Sequence, residues 1–304
     1  KNKRDITGLD LVDRGYPNTI VADFLTYKTD QKYEGIITNP PYSLAKEFVE
    51  KGMDLLTDDG QMAIIQNGSS LFNGDAGSGP SEIRRYLIEN DWLDAIVQLP
   101  GNAFYNTPIA TYIWIVMKNK PVTHQGKVQL IDASACASSR RKNIGEKKVD
   151  ITKACRDLII EAYGAYVNDT YNGVDENNNT IVVKSKVMDA VDLGYNKIVV
   201  ETPQFDEDGN VIMKKKKPVA DTSKRDTENV PLAEDIDDYF EREVIPYNPQ
   251  AWIDKSKTKV GYEIPFTRTF YEYKQIEPSD VIAARIEEHE KSLMAKLHDL
   301  FGGE

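Results

Sequence analysis

Two adjacent prolines at the end of an apolar run constrain this chain more than any other feature. Tyr33-Glu34-Gly35-Ile36-Ile37-Thr38 reads as a short strand, and Asn39-Pro40-Pro41-Tyr42 follows at once. Neither proline has an N–H for a β-ladder, so the chain must leave the sheet at Asn39. In open α/β sheets, ligands bind at the carboxyl ends of strands. There Asn39 would offer a side-chain carbonyl and Pro40 a main-chain carbonyl, two acceptors suited to one –NH2 group. Tyr42 would present a flat face for stacking on a heterocycle. The same four residues also read as a plain turn after a strand, since Pro-Pro arises by chance about once in 400 residue pairs.

The acceptor pair matches a specific chemical problem. The exocyclic nitrogen of adenine shares its lone pair with the ring and is a poor nucleophile. Hydrogen bonds from both its N–H groups to fixed acceptors would localise that lone pair. A methyl sulfonium placed in line could then transfer its methyl group, once the base had left the duplex.

Downstream, alternating patterns predict an α/β sheet. Helices are expected over 44–56, 80–89, 150–163 and 233–244. Strands are expected over 62–66, 93–99, 110–118, 128–131 and 198–200, with a further strand near Ile20 and Val21. Residues 168–180 are polar and read as an inserted loop. Residues 247–270 read as a wrapping segment with little periodicity. A terminal helix over 278–301 places Ile282, Ile286, Leu293, Leu297 and Leu300 near one face. That stripe serves either packing on its own domain or docking of a partner.

Gly74-Asp75-Ala76-Gly77-Ser78-Gly79 precedes a helix opened by Pro80 and reads as a connector rather than a phosphate cradle. The net charge of −11 argues against electrostatic gripping of DNA by this chain alone. Arg140-Arg141-Lys142 and Lys214-Lys215-Lys216-Lys217 read as solvated segments, the second on an exposed hairpin after Asp208-Gly209-Asn210. No apolar run approaches the roughly 18–20 residues of a membrane span. Cys136, Cys155, His124, His289 and His298 lack metal-ligand spacing, so neither a metal site nor a nucleophile triad is expected. A reducing cytoplasm fits this cysteine usage.

Several stretches in order resemble the modification subunit of type I restriction–modification systems, an adenine-N6 DNA methyltransferase. They are Asp59-Gly60-Gln61-Met62-Ala63-Ile64-Ile65, Glu82-Ile83-Arg84-Arg85-Tyr86-Leu87 and Ala95-Ile96-Val97-Gln98-Leu99-Pro100. They continue with Ile113-Trp114-Ile115-Val116, Val128-Gln129-Leu130-Ile131-Asp132-Ala133-Ser134, Gly194-Tyr195-Asn196-Lys197-Ile198 and Gly261-Tyr262-Glu263-Ile264-Pro265-Phe266-Thr267-Arg268.

The resemblance implies an α/β fold: a partial Rossmann-like methyltransferase sheet, then a mixed, mainly helical and irregular carboxyl-terminal region. It implies a catalytic part over 1–165, an extension over 166–277 and a partner-docking helix over 278–304. Asn39, Pro40, Pro41 and Tyr42 would hold the target base. Asp23, with Phe24 beside it, falls where such enzymes contact the adenine of S-adenosylmethionine; Asp23 reads equally as a solvated strand-end residue. The implied partners are a specificity subunit, a restriction subunit and double-stranded DNA with a flipped adenine. The family's glycine-rich cofactor loop has no counterpart before Asn39, where Gly8, Gly15 and Gly35 stand apart. The chain is therefore expected to be an incomplete, inactive fragment, with the strand of Ile36 and Ile37 at an open sheet edge. A protein-glutamine or RNA amino-group methyltransferase satisfies the same acceptor pair. A non-catalytic module that docks a specificity subunit is the reading of another class.

Overall fold

The computed structural model describes residues 5–273 and 277–301. Two short strands, β1 (Gly8–Asp10) and β2 (Thr19–Val21), pair in parallel in a sheet of their own. β3 (Tyr33–Thr38) then ends where the prolines require. After it come α1 (Ala45–Leu55), β4 (Leu56–Asn67), the single turn α2 (Ser69–Phe72), α3 (Gly79–Glu89), β5 (Leu93–Gln98), β6 (Thr111–Met117) and β7 (Lys127–Asp132). A hairpin of β8 (Ser138–Ile144) and β9 (Lys147–Asp150) precedes α4 (Lys153–Ala165), β10 (Asp169–Val174) and β11 (Thr180–Asp189).

Seven of these strands form one sheet in the order β10-β11-β7-β5-β6-β4-β3. β3 is parallel to β4 and β5 to β7, while β6 runs antiparallel to both β4 and β5. The carboxyl ends of β3, β4, β5 and β7 therefore lie along one edge of the sheet. β3 is the outermost strand, as the sequence led us to expect, and Ile37 on it is 90% exposed.

Local chemistry explains the elements. The α1 residues Val49, Gly52 and Met53 are buried at helical spacing. A Cβ on Gly52 would meet the Met62 sulfur at 2.4 Å, so a larger residue would force the Met62 side chain to shift in this close helix–sheet contact. α3 starts with proline in its first turn, where no intrahelical bond is lost. α4 is capped by the Thr152 hydroxyl, which accepts from the Cys155 N–H at 3.3 Å. β5 is central and almost wholly buried, which accounts for its apolar Ala95-Ile96-Val97, with the buried Asp94 as its one charged residue. Beneath α4, Val97, Ile131, Cys136, Cys155, Ala162, Ile181 and Val183 form one core cluster. Each fully buried branched side chain there contributes about 1.5–3 kcal/mol.

A second sheet follows: β12 (Gly194–Glu201) at its centre, a tight hairpin of β13 (Met213–Lys214) and β14 (Lys217–Pro218) projecting beyond it, then β15 (Asp226–Pro231). α5 (Ile236–Tyr239), β16 (Trp252–Ile253), β17 (Lys259–Tyr262) and α6 (Phe266–Thr269) complete this region. β15, β16 and β17 all pair with β12. Ile198, Val200, Val230, Phe240 and Val244 make its core. By Cα packing the chain forms two compact units, Lys1–Thr269 and Phe270–Glu304. The second holds α7 (Ser279–Phe301), on which Ile286, Leu293, Leu297 and Leu300 are exposed.

The α/β class holds, with specific differences. The region after residue 165 carries more strand than the mainly helical character expected of it, and β10 and β11 complete the large sheet. The polar segment 168–180 is not a loop but an edge strand and a turn. Asp175 makes that turn: its N–H donates to the Asn179 carbonyl at 2.9 Å, and its carboxylate accepts from the N–H groups of Asn177 and Asn179. The helix expected over 233–244 begins only after Asp235, whose carboxylate caps it at Asp237 N and Asp238 N. It then widens to a π-turn over Phe240–Val244. Residues 247–270 contain β16, β17 and α6 rather than a featureless wrap. The lysine run is on a hairpin as expected, with Lys215 and Lys216 at φ +50° and +61° in the tight turn.

Arg84 ties α3 to the second sheet. It is 1% exposed and donates to four carbonyls: Tyr262 at 2.5 Å, Ser70 at 3.0 Å, Asn73 at 2.9 Å and Gly74 at 3.4 Å. Burial pulls its pKa below the usual arginine value. Arg84→Met keeps the stem and leaves the Tyr262 carbonyl, the acceptor of the one fully buried bond among the four, without its donor, so urea unfolding should show a loss of about 1–3 kcal/mol. A loss within error of zero would show that these carbonyls do not depend on the guanidinium.

Candidate active site

The backbone leaves β3 through Asn39 and Pro40, and then turns into a 3-10 segment over Tyr42–Leu44 that leads into α1. The helix entry uses the next two carbonyls. Leu44 N–H donates to the Pro41 carbonyl at 2.9 Å, and Ala45 N–H donates to the Tyr42 carbonyl. No described residue donates to the Asn39 side chain or the Pro40 carbonyl. Asn39 is exposed, Pro40 buried, Pro41 exposed and Tyr42 half-buried. Burial raises the Tyr42 pKa, so its phenol stays neutral at ordinary pH. The turn therefore offers two unused acceptors and one aromatic ring at the carboxyl end of a strand.

A groove of about 170 Å³ runs beside β3 and stops at Thr38, one residue short of Asn39. Its walls include Phe24, Phe48, Tyr33, Gly35 and Leu9. Phe24 and Phe48 stack with ring centroids 4.8 Å apart and planes at 21°. The Tyr33 hydroxyl is buried beside the Tyr27 side chain and makes no well-aligned hydrogen bond among the described residues. Its pKa is raised, first by desolvation and then by Tyr27. A Cβ at Gly35 would meet nothing within 4 Å, so the groove is open along the strand there.

The fold thus places Phe24 in a groove continuous with the strand that carries Asn39. Asp23 does something else: its carboxylate accepts from Leu25 N–H at 2.9 Å and its carbonyl from Tyr27 N–H at 2.9 Å, so it shapes its own turn. It does not line the groove. Tyr33 and Phe48 were not singled out from the sequence. Strand alternation, which puts Tyr33, Gly35 and Ile37 on one face, was the pattern that pointed to the first.

A larger depression, of about 470 Å³, lies by the second sheet among Asn196, Glu234, Asp235, Asp237 and Lys255. Size does not make it the better candidate, because Asp237 and Lys255 pair with one another at 2.9 Å and no aromatic ring lines it. Among the described residues, no group of three or more His, Cys, Asp or Glu side chains is placed to hold a metal ion. No described helix is long and apolar enough to cross a membrane.

The family model for N-6 DNA Methylase matches residues 26–203, which contain β3, the tetrapeptide and the whole seven-stranded sheet. The type I restriction enzyme MjaIX methylase subunit of Methanocaldococcus jannaschii is 40% identical over 81 residues, covering 25% of this chain. The type I restriction enzyme MpnII methylase subunit of Mycoplasma pneumoniae is 28% identical over 148 residues, covering 36% of it. These matches span only 14% and 26% of the relatives' own lengths. Among solved structures, the type I restriction-modification system methyltransferase subunit from Streptococcus thermophilus superposes with a TM-score of 0.46 at 23% identity. That superposition covers 58% of this chain and 40% of the other.

The Tyr33 hydroxyl, without a well-aligned partner among the described residues, yields a stability expectation. Removing a buried polar group that has no partner is neutral or stabilising. Tyr33→Phe should therefore unfold at the same or a higher urea concentration than wild type, whereas loss of more than about 1 kcal/mol would mean that the hydroxyl has a partner in the folded protein.

Proposed function

The chain belongs to the N-6 DNA Methylase family, and on that premise we propose that it is part of the modification subunit of a type I restriction–modification complex that methylates adenine N6 in DNA. The observation that carries this reading is the pair of unused acceptors at Asn39 and Pro40, at the carboxyl end of β3. A flipped adenine would donate its two N–H groups to the Asn39 side-chain carbonyl and the Pro40 main-chain carbonyl. Both acceptors draw on the amino protons, so the lone pair leaves the ring and turns toward the incoming methyl group. Pro41 fixes the turn, and Tyr42 stacks on the base.

When bound, S-adenosylmethionine would supply the methyl group from its sulfonium and depart as the neutral thioether, and the methylated N6 would release one of its two protons. The groove beside β3 suits the aromatic part of that molecule: Phe24 and Phe48 give flat apolar walls, and the Tyr33 hydroxyl makes no well-aligned hydrogen bond among the described residues. Its volume of about 170 Å³ holds a ring system rather than a whole cofactor, since complete small-molecule sites run to roughly 300–1,000 Å³. No charged side chain lines it, so the amino and carboxylate ends of the methionine part find no counter-charge there. Asp23 would act in this reading only by capping the turn next to Phe24, since its carboxylate accepts from Leu25 N–H at 2.9 Å.

The exposed stripe on α7 is the surface we assign to a specificity subunit, which would carry sequence recognition that an acidic chain does not supply by itself. A restriction subunit would complete the complex.

Within the assembled subunit, Asn39→Ala should abolish methyl transfer and largely spare cofactor affinity, because the Asn39 carbonyl acts on the amino group and not on the sulfonium. A methylation assay beside a calorimetric titration separates the two effects. Wild-type methylation by the variant would remove Asn39 from the chemistry.

Tyr42→Phe should retain much of the activity, because stacking tolerates any aromatic ring. Tyr42→Ala should lose about one to two decades, matching the roughly 1–3 kcal/mol of a base–aromatic stack. If the two variants behave alike, the ring does not act by stacking.

A further inference from the structure

The hairpin of β8 and β9 leaves the carboxyl end of β7, on the same sheet edge as the tetrapeptide. In a chain of net charge −11, this hairpin carries five basic and two acidic side chains. Arg140 and Lys147 both pair with Asp150, Lys147 at 3.2 Å, which fixes the hairpin's base. Arg141, Lys142 and Lys148 are exposed and make no ion pair among the described residues.

The hairpin is also held rigidly. Glu146 N–H donates to the Tyr105 carbonyl at 2.9 Å, Lys148 N–H to the Asn102 carbonyl at 2.9 Å, and the Asn102 side chain to the Glu146 carbonyl at 3.1 Å. Gly145, at φ +56°, makes the approach possible, since a Cβ there would meet the Tyr105 oxygen at 2.5 Å. Tyr105 itself is 60% exposed, with Lys147 Nζ 5.2 Å from its ring centroid. The residues 101–108, which leave the carboxyl end of β5, and the hairpin thus form one fixed basic platform. Little ordering entropy would be lost when it met a ligand.

We propose that this platform binds the phosphate backbone of double-stranded DNA, about half a helical turn from the base held at Asn39. β7 and β3 are four strand positions apart in the sheet, roughly 19 Å at about 4.8 Å per step. A duplex turn is about 34–36 Å long, so a duplex lying along this edge presents phosphates to both places. The inference rests on the proposed function for its ligand, but on charge and placement for its site. The lysine hairpin of β13 and β14 makes a poorer platform: over residues 206–221 its four lysines face four carboxylates.

The test is a salt titration of duplex binding by the full chain, read by fluorescence anisotropy. Each phosphate contact contributes about 0.9 to the slope of log K against log[salt]. Substituting Arg141→Gln, Lys142→Gln and Lys148→Gln together should lower that slope by about 2–3 and weaken binding at every salt concentration. The same charge change made elsewhere, Lys214→Gln with Lys215→Gln and Lys216→Gln, should leave the slope unchanged. Equal losses in the two variants would overturn the proposal, because net charge and not the platform would then be responsible. Absence of duplex binding by the wild-type chain at low salt, or tighter binding of an RNA of the same sequence, would overturn it as well. The readout is binding alone, so failure of the wild-type chain to methylate DNA would count against the proposed function without altering the slope comparison.

Discussion

Proline has no amide hydrogen, and two prolines in succession decide how β3 ends. A strand that continued past Thr38 would need N–H groups that Pro40 and Pro41 lack. The ladder stops, and the chain turns into the 3-10 segment and α1. The helix entry consumes the carbonyls of Pro41 and Tyr42. Among the described residues, what remains unused is the Asn39 side chain and the Pro40 carbonyl, and those two acceptors are where the proposed chemistry begins. One backbone constraint thus sets both the end of the strand and the start of the site.

The directions of the strands divide the sheet into two edges with different tasks. At the amino end of β5, Asp94 is fully buried. Its carboxylate accepts from the Tyr163 hydroxyl at 2.7 Å and faces His124 Nδ1 at 2.8 Å. Tyr166 stacks on His124 with centroids 3.5 Å apart and reaches the carbonyls of Asp94 and Lys127. Burial, reinforced by Asp94, drives the Tyr163 and Tyr166 phenols well above their usual pKa, so they act as donors at any ordinary pH. This edge clamps α4 to the sheet. The carboxyl edge, in contrast, carries the acceptors at Asn39 and Pro40 and the basic hairpin, as strand-end ligand sites in open α/β sheets lead one to expect, while the groove runs along the length of β3.

Much of the fold could be read from sequence where apolar periodicity was strong. α1, α3, β5, β6 and β7 fall within a residue or two of their expected limits because each buries Val, Ile, Leu or Met against neighbours, while β3, which has no buried residue, ends where Pro40 and Pro41 stop its ladder. β10 was missed because an edge strand needs little apolar content: Asp169-Thr170-Tyr171-Asn172-Gly173-Val174 is half exposed and is held mainly by its ladder to β11. β8 and β9 were missed for a similar reason, since charged residues dominate them and their register shifts. In the site, the tetrapeptide was legible as a motif. The groove was not, because Phe24 and Phe48 meet only in the folded chain, and no local pattern announces a contact between residues 24 positions apart.

The site's accuracy depends on a strand outside it. β3 has one neighbour in the sheet, β4, and their parallel ladder is irregular between Tyr33 and Gly35. Four consecutive pairs, from Gly35–Gln61 to Thr38–Ile64, therefore set the position of Asn39. β4 in turn is held by β6 over seven unbroken antiparallel pairs, Gln61–Met117 through Asn67–Thr111. Met62 and Ile64 on β4 and Trp114 and Val116 on β6 are all buried, so this pairing is fixed by packing as well as by hydrogen bonds. A one-residue slip of β4 against β6 would turn Met62 and Ile64 to the opposite face and carry the acceptor pair about 3.3 Å out of place. Catalytic geometry tolerates displacements of only about 0.5 Å. The β4–β6 ladder, which touches no substrate, is thus the element on which the reach of Asn39 and Pro40 ultimately rests.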